Sequence, residues 1–176
     1  LINNGAKVKA FERDKNRAEI MKTNLLRLKL DCKLEIKNVL DINDKQKFDL
    51  IILDAPCSSI GTIRRHPEIF FRKNMPNFKK IIFLQKQLLE KAKKLLKKDG
   101  ILIYMVCSFL PEEGKEQVFN FLKKNNNFSI LKFFLKGAEN INNLIDINGF
   151  YYVEPSELKK NVLIDGFFAA KLKKND

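Results

Sequence analysis

Ile51-Ile52-Leu53-Asp54-Ala55-Pro56-Cys57 decides the fold, and fifty positions on it has a counterpart, Ile101-Leu102-Ile103-Tyr104-Met105-Val106-Cys107. Each is a short, unbroken apolar run rich in β-branched residues, the pattern of a parallel strand buried on both faces. Each ends on a cysteine. In open α/β sheets, ligands and chemistry gather outside the carboxyl ends of such strands. Both thiols are therefore expected on one rim, beside Asp54, where a nucleophile is useful.

Outward from these runs, strand and helix signals alternate. Lys7 to Phe11 reads as a strand ending at Glu12. A helical pattern follows from Lys15 to Leu30, with Ile20, Asn24, Leu25 and Leu28 on one face. Leu34 to Lys37 reads as a short strand, Phe48 to Leu53 as a longer one, and Arg64 to Pro76 as a basic irregular stretch. An amphipathic helix is predicted from Asn77 to Lys98, burying Ile82, Leu84, Leu88, Leu89, Ala92, Leu95 and Leu96. Asp99-Gly100 reads as its stop. A third helix runs from Glu112 to Lys124 behind Pro111. Phe128 to Leu135 and Phe167 to Leu172 are late strands, with Asn140 to Asn148 a polar loop. This is the α/β order of a doubly wound sheet. Such a sheet should open with a strand and a glycine-rich turn that holds a nucleotide-like cofactor. Here the chain begins on what reads as the second strand, and Glu12 is the type of acid that hydrogen-bonds ribose hydroxyls.

The 176 residues are read as one domain with room for a core. The opening Leu1-Ile2-Asn3-Asn4-Gly5 has no leader pattern, and no run approaches a membrane span. Three cysteines, an odd number, fit reduced thiols in a cytoplasmic setting. With one histidine and no cysteine pair at ligand spacing, no metal is expected. Cys32, after a helix end, reads as structural. The net charge of +13 fits an acidic partner such as nucleic acid. Most of it is lysine in a chain crowded with Asn, Ile and Phe, so base composition of the coding DNA accounts for it about as well.

Three longer stretches carry a resemblance. Asp54-Ala55-Pro56-Cys57-Ser58-Ser59-Ile60-Gly61-Thr62-Ile63-Arg64-Arg65-His66-Pro67-Glu68-Ile69 resembles the fourth motif of the RNA cytosine-5 methyltransferases, in particular the Sun/Fmu-type bacterial enzymes of small-subunit ribosomal RNA. Val106-Cys107-Ser108-Phe109-Leu110-Pro111-Glu112-Glu113 resembles their sixth, usually written with Thr before the Cys. Asp165-Gly166-Phe167-Phe168-Ala169-Ala170 is similar to their closing strand.

The resemblance implies a Rossmann-like, S-adenosylmethionine-dependent methyltransferase sheet over residues 1–176, truncated at its N-terminal edge. It implies Cys107 as the nucleophile that adds to carbon 6 of cytosine and activates carbon 5. Cys57 would assist release of the methylated RNA, and Asp54 would contact the base edge and the cofactor side. Arg64, Arg65 and His66 would contact phosphates and supply a cationic field favouring the thiolate. Glu12 falls where the family has an acid for the ribose, and Asp14 and Arg17 extend that match. Asn38 stands where an Asp near adenine is usual, with Asp41 as the alternative. The partner implied is RNA, with transfer RNA a second possibility, and the complete enzyme would be monomeric.

The first motif, with its glycines and lysine, has no counterpart here, nor does the amino-terminal RNA-binding domain of the family. The absent strand would be central, leaving two unpaired edges. The chain is therefore expected to be a fragment, a split-gene product or a truncated gene model, with weak cofactor binding and poor stability alone. Three other readings compete. A DNA cytosine methyltransferase would use the Cys after Pro56 as nucleophile, and an amino-group enzyme would want an aromatic in place of Cys57. A catalytically inactive RNA-binding remnant would keep the fold and the charge without turnover.

Overall fold

The computed structural model describes residues 1–43, 45–71, 73, 76–134, 143–155 and 163–175. It divides into two units, Leu1–Gln46 and Lys47–Asp176. In the first, β1 (Val8–Glu12) and β2 (Cys32–Ile36) pair in parallel, Val8 against Cys32 and Glu12 against Ile36. Parallel neighbours need a crossover, and α1 (Lys15–Arg27) supplies it. The Asp14 carboxylate accepts the Arg17 N–H at 2.9 Å, which caps the helix and fixes where it begins.

Two expectations for this unit are corrected. The helix ends at Arg27 rather than Leu30, and Lys29 turns the chain with a φ of 53°. Its expected apolar face is largely open: Ile20 is 63% and Leu28 52% exposed, and Ala18 is the one buried residue of the helix. A two-stranded sheet is too narrow to cover that face. Cys32 is the first residue of β2, opposite Val8.

The second unit is a mixed sheet in the order β3-β4-β7-β5, with β6 also on β7. Its strands are β3 (Phe48–Asp54), β4 (Leu96–Val106), β5 (Phe128–Ile130), β6 (Tyr151–Val153) and β7 (Phe167–Lys174). The helices are α2 (Phe78–Leu95) and α3 (Lys115–Lys124). β4 is the spine, parallel to β3 and antiparallel to β7. Its Leu102, Tyr104 and Val106 have no exposed surface, against Phe168, Ala170 and Leu172 of β7, which are equally enclosed. The run predicted to be buried on both faces is a strand, but only the face of Leu102, Tyr104 and Val106 is fully enclosed, and Ile101, Ile103 and Met105 on the other face are half-buried.

The largest correction concerns the junction of α2 and β4. Asn77 caps α2 by accepting the Lys80 N–H at 3.0 Å, as the sequence predicts, but the helix stops at Leu95 and not at Lys98. Leu96 is already strand, opposite Phe48. Asp99 then takes a left-handed φ of 58°, and the ladder shifts register between Phe48 and Leu50. Asp99-Gly100 is thus a kink inside β4 and not a helix stop. Burying Leu95 and Leu96 together outweighs the helical propensity of the lysines that follow. β5 ends at Ile130, short of the predicted Leu135, which lies outside the described residues, as do 140–142 of the predicted polar loop. α3 starts at Lys115, after a turn from Pro111 to Gly114, and the short β6 has no sequence signal strong enough to predict it.

Among the described residues β1 pairs only with β2, and β3 only with β4, so each has an open edge. The backbone amides of Leu102, Tyr104 and Val106 in β4, flanked on both sides, are expected to exchange hydrogen at least about tenfold more slowly than those of β1 and β2. Hydrogen–deuterium exchange with peptide mass analysis checks this; equal protection in the two sheets would contradict it.

Candidate active site

The two cysteine loops meet because β3 and β4 are neighbours in register, Asp54 opposite Met105. Ala55 N–H donates to the Met105 carbonyl at 3.0 Å and carries the pairing one residue past β3. Beyond it the loops are tied backbone to backbone. Gly61 N–H donates to the Cys107 carbonyl at 3.1 Å, and Gly166 N–H to the Gly61 carbonyl at 2.8 Å. A Cβ on Gly61 would stand 2.0 Å from the Gly166 carbonyl oxygen, so this approach requires glycine. The result is a pair of free thiols with Sγ–Sγ 3.2 Å, half-buried. Ser59, held in the left-handed region at φ 62°, puts its hydroxyl 3.6 Å from Cys107 Sγ and 4.0 Å from Cys57 Sγ.

The sulfurs are electrostatically unequal. Cys107 ionises more readily than an ordinary thiol, chiefly through the hydrogen bond from Cys57 and then that from Ser59, which together outweigh burial and the nearby Asp54. Cys57 is pushed strongly up, first by its bond to Cys107, then by burial and the Cys107 charge, with the Glu113 charge adding a smaller part. Of the two, Cys107 is therefore the one that ionises more readily. Asp54, at the carboxyl end of β3, is itself raised by partial burial.

The basic run is differently engaged from the expectation. Arg65 Nε donates to Asp165 Oδ2 at 2.6 Å, and Arg64 pairs with Asp165 Oδ1 at 3.3 Å. His66 Nδ1 lies 3.0 Å from Glu68. The Asp165 carboxylate is held below its usual range by Arg65 first. The Cys107 thiolate is thus favoured by hydrogen bonds and not mainly by a cationic field, because the arginines are occupied by Asp165.

In the first unit, Glu12 and Asn38 share one edge. Glu12 Oε1 accepts the Asp14 N–H at 2.9 Å, and the Lys37 N–H donates to the Glu12 carbonyl at 2.9 Å. Asn38 lies just beyond β2 and accepts the Leu40 N–H at 3.1 Å, capping a short turn that contains Asp41. A carboxylate suits a ribose diol and a carboxamide suits an adenine edge, so the donor set fits a nucleoside cofactor.

Five residues near the thiols escape the sequence reading of roles: Ser58, Ser59, Gly61, Gln85 and Glu113. Gln85 offers a signal, a polar residue at a buried position of the α2 stripe between Ile82 and Leu89. The others depend on how two loops distant in sequence meet. Among the described residues no group of three His, Cys, Asp or Glu could hold a metal ion, and no helix is long and apolar enough to cross a membrane.

This sheet, with its functional rim, has the fold of the Rossmann-like S-adenosylmethionine-dependent methyltransferases. A Pyrococcus horikoshii methyltransferase homologue superposes with a TM-score of 0.72 at 32% identity, over 97% of this chain and 54% of its own. NSun6 from Pyrococcus horikoshii, solved with the S-adenosylmethionine analogue SFG, gives 0.79 at 25% identity, over 98% and 42%. The chain belongs to the 16S rRNA methyltransferase RsmB/F family, whose profile matches residues 1–173. It is similar to ribosomal RNA small subunit methyltransferase B of Yersinia enterocolitica, 33% identical over 153 residues, 84% of this chain and 36% of the relative. With that of Photorhabdus laumondii it shares 37% over 125 residues, 68% of this chain and 29% of the relative. The chain thus spans about a third of the length of these curated relatives.

Gly61→Ala is expected to lower stability by about 1–3 kcal/mol, because the added methyl collides with backbone that cannot rotate away. Denaturant unfolding checks this, and an unchanged midpoint would contradict the close approach. A second expectation concerns pH. A thiol with a lowered pKa is an anion at lower pH, so Cys107 alkylation by iodoacetamide should begin below the ordinary thiol range. In Cys57→Ala the lost S–H donor destabilises the anion, and the profile should move up by about one pH unit. A profile that stays put or moves down would remove Cys57 as the donor.

Proposed function

We propose that the chain, as part of a catalytic domain, transfers a methyl group from S-adenosylmethionine to carbon 5 of cytosine in small-subunit ribosomal RNA. The observation that carries this is the thiol pair, 3.2 Å apart at the carboxyl ends of adjacent parallel strands, with Cys107 the more readily ionised of the two. Carbon 5 of cytosine is a weak nucleophile, and a thiolate corrects that. The Cys107 electron pair forms a bond to carbon 6, and the ring becomes an enamine. Carbon 5 can then take an electrophilic methyl, which is what S-adenosylmethionine supplies when bound. Loss of the carbon 5 proton to a base and breakage of the C–S bond restore aromaticity and free Cys107.

Cys57 would act at release, its S–H lying nearest the departing sulfur. Asp54 leaves the same rim and would meet the base edge, with its raised pKa letting it share a proton there. Glu12 and Asn38 would hold the ribose and the adenine of the cofactor. Arg64, Arg65 and His66 would exchange their carboxylate partners for RNA phosphates, and a net charge of +13 favours that exchange. The target cytosine must be unpaired or extruded.

Covalent trapping tests the reading. The chain, Cys57→Ala and Cys107→Ala, each joined to the amino-terminal part of a curated relative, are incubated with S-adenosylmethionine and small-subunit RNA, then resolved under denaturing conditions. An adduct that accumulates in Cys57→Ala and vanishes in Cys107→Ala is expected. Loss of adduct with Cys57→Ala alone would reverse the roles toward the pattern of the DNA enzymes. RNA binding with no adduct in any version would favour the inactive remnant.

A further inference from the structure

Behind the thiols lies a buried polar cluster that the reaction above does not use. Glu113 has no exposed surface. It accepts the Ser58 N–H on Oε1 at 2.7 Å and the Ser58 hydroxyl on Oε2 at 2.6 Å. The Gln85 amide, equally enclosed, donates to Glu113 Oε1 at 3.3 Å and to the Pro56 carbonyl at 3.0 Å. Gln117 donates to Gln85 Oε1 at 3.2 Å, and the Tyr104 hydroxyl to the Glu113 carbonyl at 2.6 Å. Groups from β4, α2, α3 and the turn before α3 thus converge on Pro56 and Ser58, the two residues that flank Cys57.

Each of these contacts to the carboxylate is a donor, the set that an ionised carboxylate accepts. Removing such a charge from water is costly even when it is well bonded. Fastening the loop alone could be done with a neutral amide, so the charge calls for a reason. The thiol pair supplies one. Two sulfurs in contact share one proton, and a fixed anion beside one of them makes a second anion there unfavourable. Glu113 is bonded to the residue next to Cys57, whereas Cys107 Sγ lies nearer the Ser59 hydroxyl, at 3.6 Å against 4.0 Å for Cys57.

We propose that Glu113 is a positioning residue: by pinning Pro56 and Ser58 and setting a buried anion beside Cys57, it keeps the shared proton on Cys57 and leaves Cys107 as the attacking sulfur. This rests on the reading of Cys107 as nucleophile. The Glu113 charge contributes to raising Cys57 and also Tyr104, as the cluster requires. The other charged or titratable groups facing the sulfurs are Asp54 from β3, which opposes a Cys107 anion, Tyr104 from β4 on the Cys57 side, and Arg65 on the Cys107 side.

The test needs neither RNA nor cofactor. The full chain is labelled with iodoacetamide from about pH 5 to 9, and mass spectrometry gives the ratio of Cys107 to Cys57 labelling. The wild-type chain should favour Cys107. In Glu113→Gln the charge is gone and the new amide faces the Ser58 donors, so the ratio should fall about tenfold, one unit of relative acidity. Ser58→Ala, which keeps the charge and removes one anchor, should lower it less. Phe128→Leu, a core change touching neither loop, should leave it unmoved. A wild-type chain without preference, an unchanged ratio in folded Glu113→Gln, or an equal fall in Phe128→Leu would each overturn the proposal. If Glu113→Gln does not fold, an unchanged ratio in Ser58→Ala does so. A ratio that collapses as expected in a chain that forms no RNA adduct would sink the methyl-transfer reading and leave the role of Glu113 standing.

Discussion

The parallel register of β3 against β4 is the constraint on which the second unit depends. Placing Asp54 opposite Met105 makes both strands end together, so the loops that leave them start side by side. A slip of one residue would send every side chain of β3 to the other face and carry Cys57 away from Cys107. What holds the register is burial. Leu53 is enclosed on β3, and Leu102, Tyr104 and Val106 are enclosed on β4. The site is therefore placed by the core, and its loops add only the last few ångströms.

Those last ångströms come from backbone contact and a buried charge. Gly61 bridges Cys107 and Gly166 through carbonyl and amide, and the absence of a side chain at Gly61 and Gly166 is what lets three segments touch. Glu113 adds a tether of another kind, bonded to a backbone amide and to a hydroxyl of the same residue, Ser58. A loop fixed by glycines alone would have a shape but no field. One fixed by Glu113 has both, and the field falls unequally on two chemically identical groups.

The sequence discloses the elements whose signal is local and hides those that depend on assembly. The runs 51–53 and 101–106 read as buried strands because they are apolar without interruption, and both are strands of one sheet, but burial alternates along β4 and Ile52 of β3 is 45% exposed. The end of α2 was illegible because the lysines after Leu95 continue a helical pattern, whereas pairing of Leu96 with Phe48 decides the matter from a distance. The Arg64–Arg65 pair is conspicuous as charge, yet its partner Asp165 lies a hundred positions away. Glu113 looks in sequence like a helix-start acid beside Glu112. Its burial and its bond to Ser58 exist only once α2, α3 and β4 have closed around it.

Why two thiols of the same type can take different parts follows from where each is anchored. Cys107 leaves β4, which is paired on both sides, and its own carbonyl is held by Gly61. Cys57 leaves β3 and is held from its flanks by Gln85 through Pro56 and by Glu113 through Ser58. A group that attacks must return to one position in every cycle, which suits a residue whose own carbonyl is held by Gly61. A group that holds a proton and gives it up at release can sit on a loop, provided a neighbouring charge keeps the proton there until it is needed. If Cys107 attacks as proposed, the sheet would fix the nucleophile and the buried carboxylate its partner, so the asymmetry of the pair would be built into the fold before any substrate arrives.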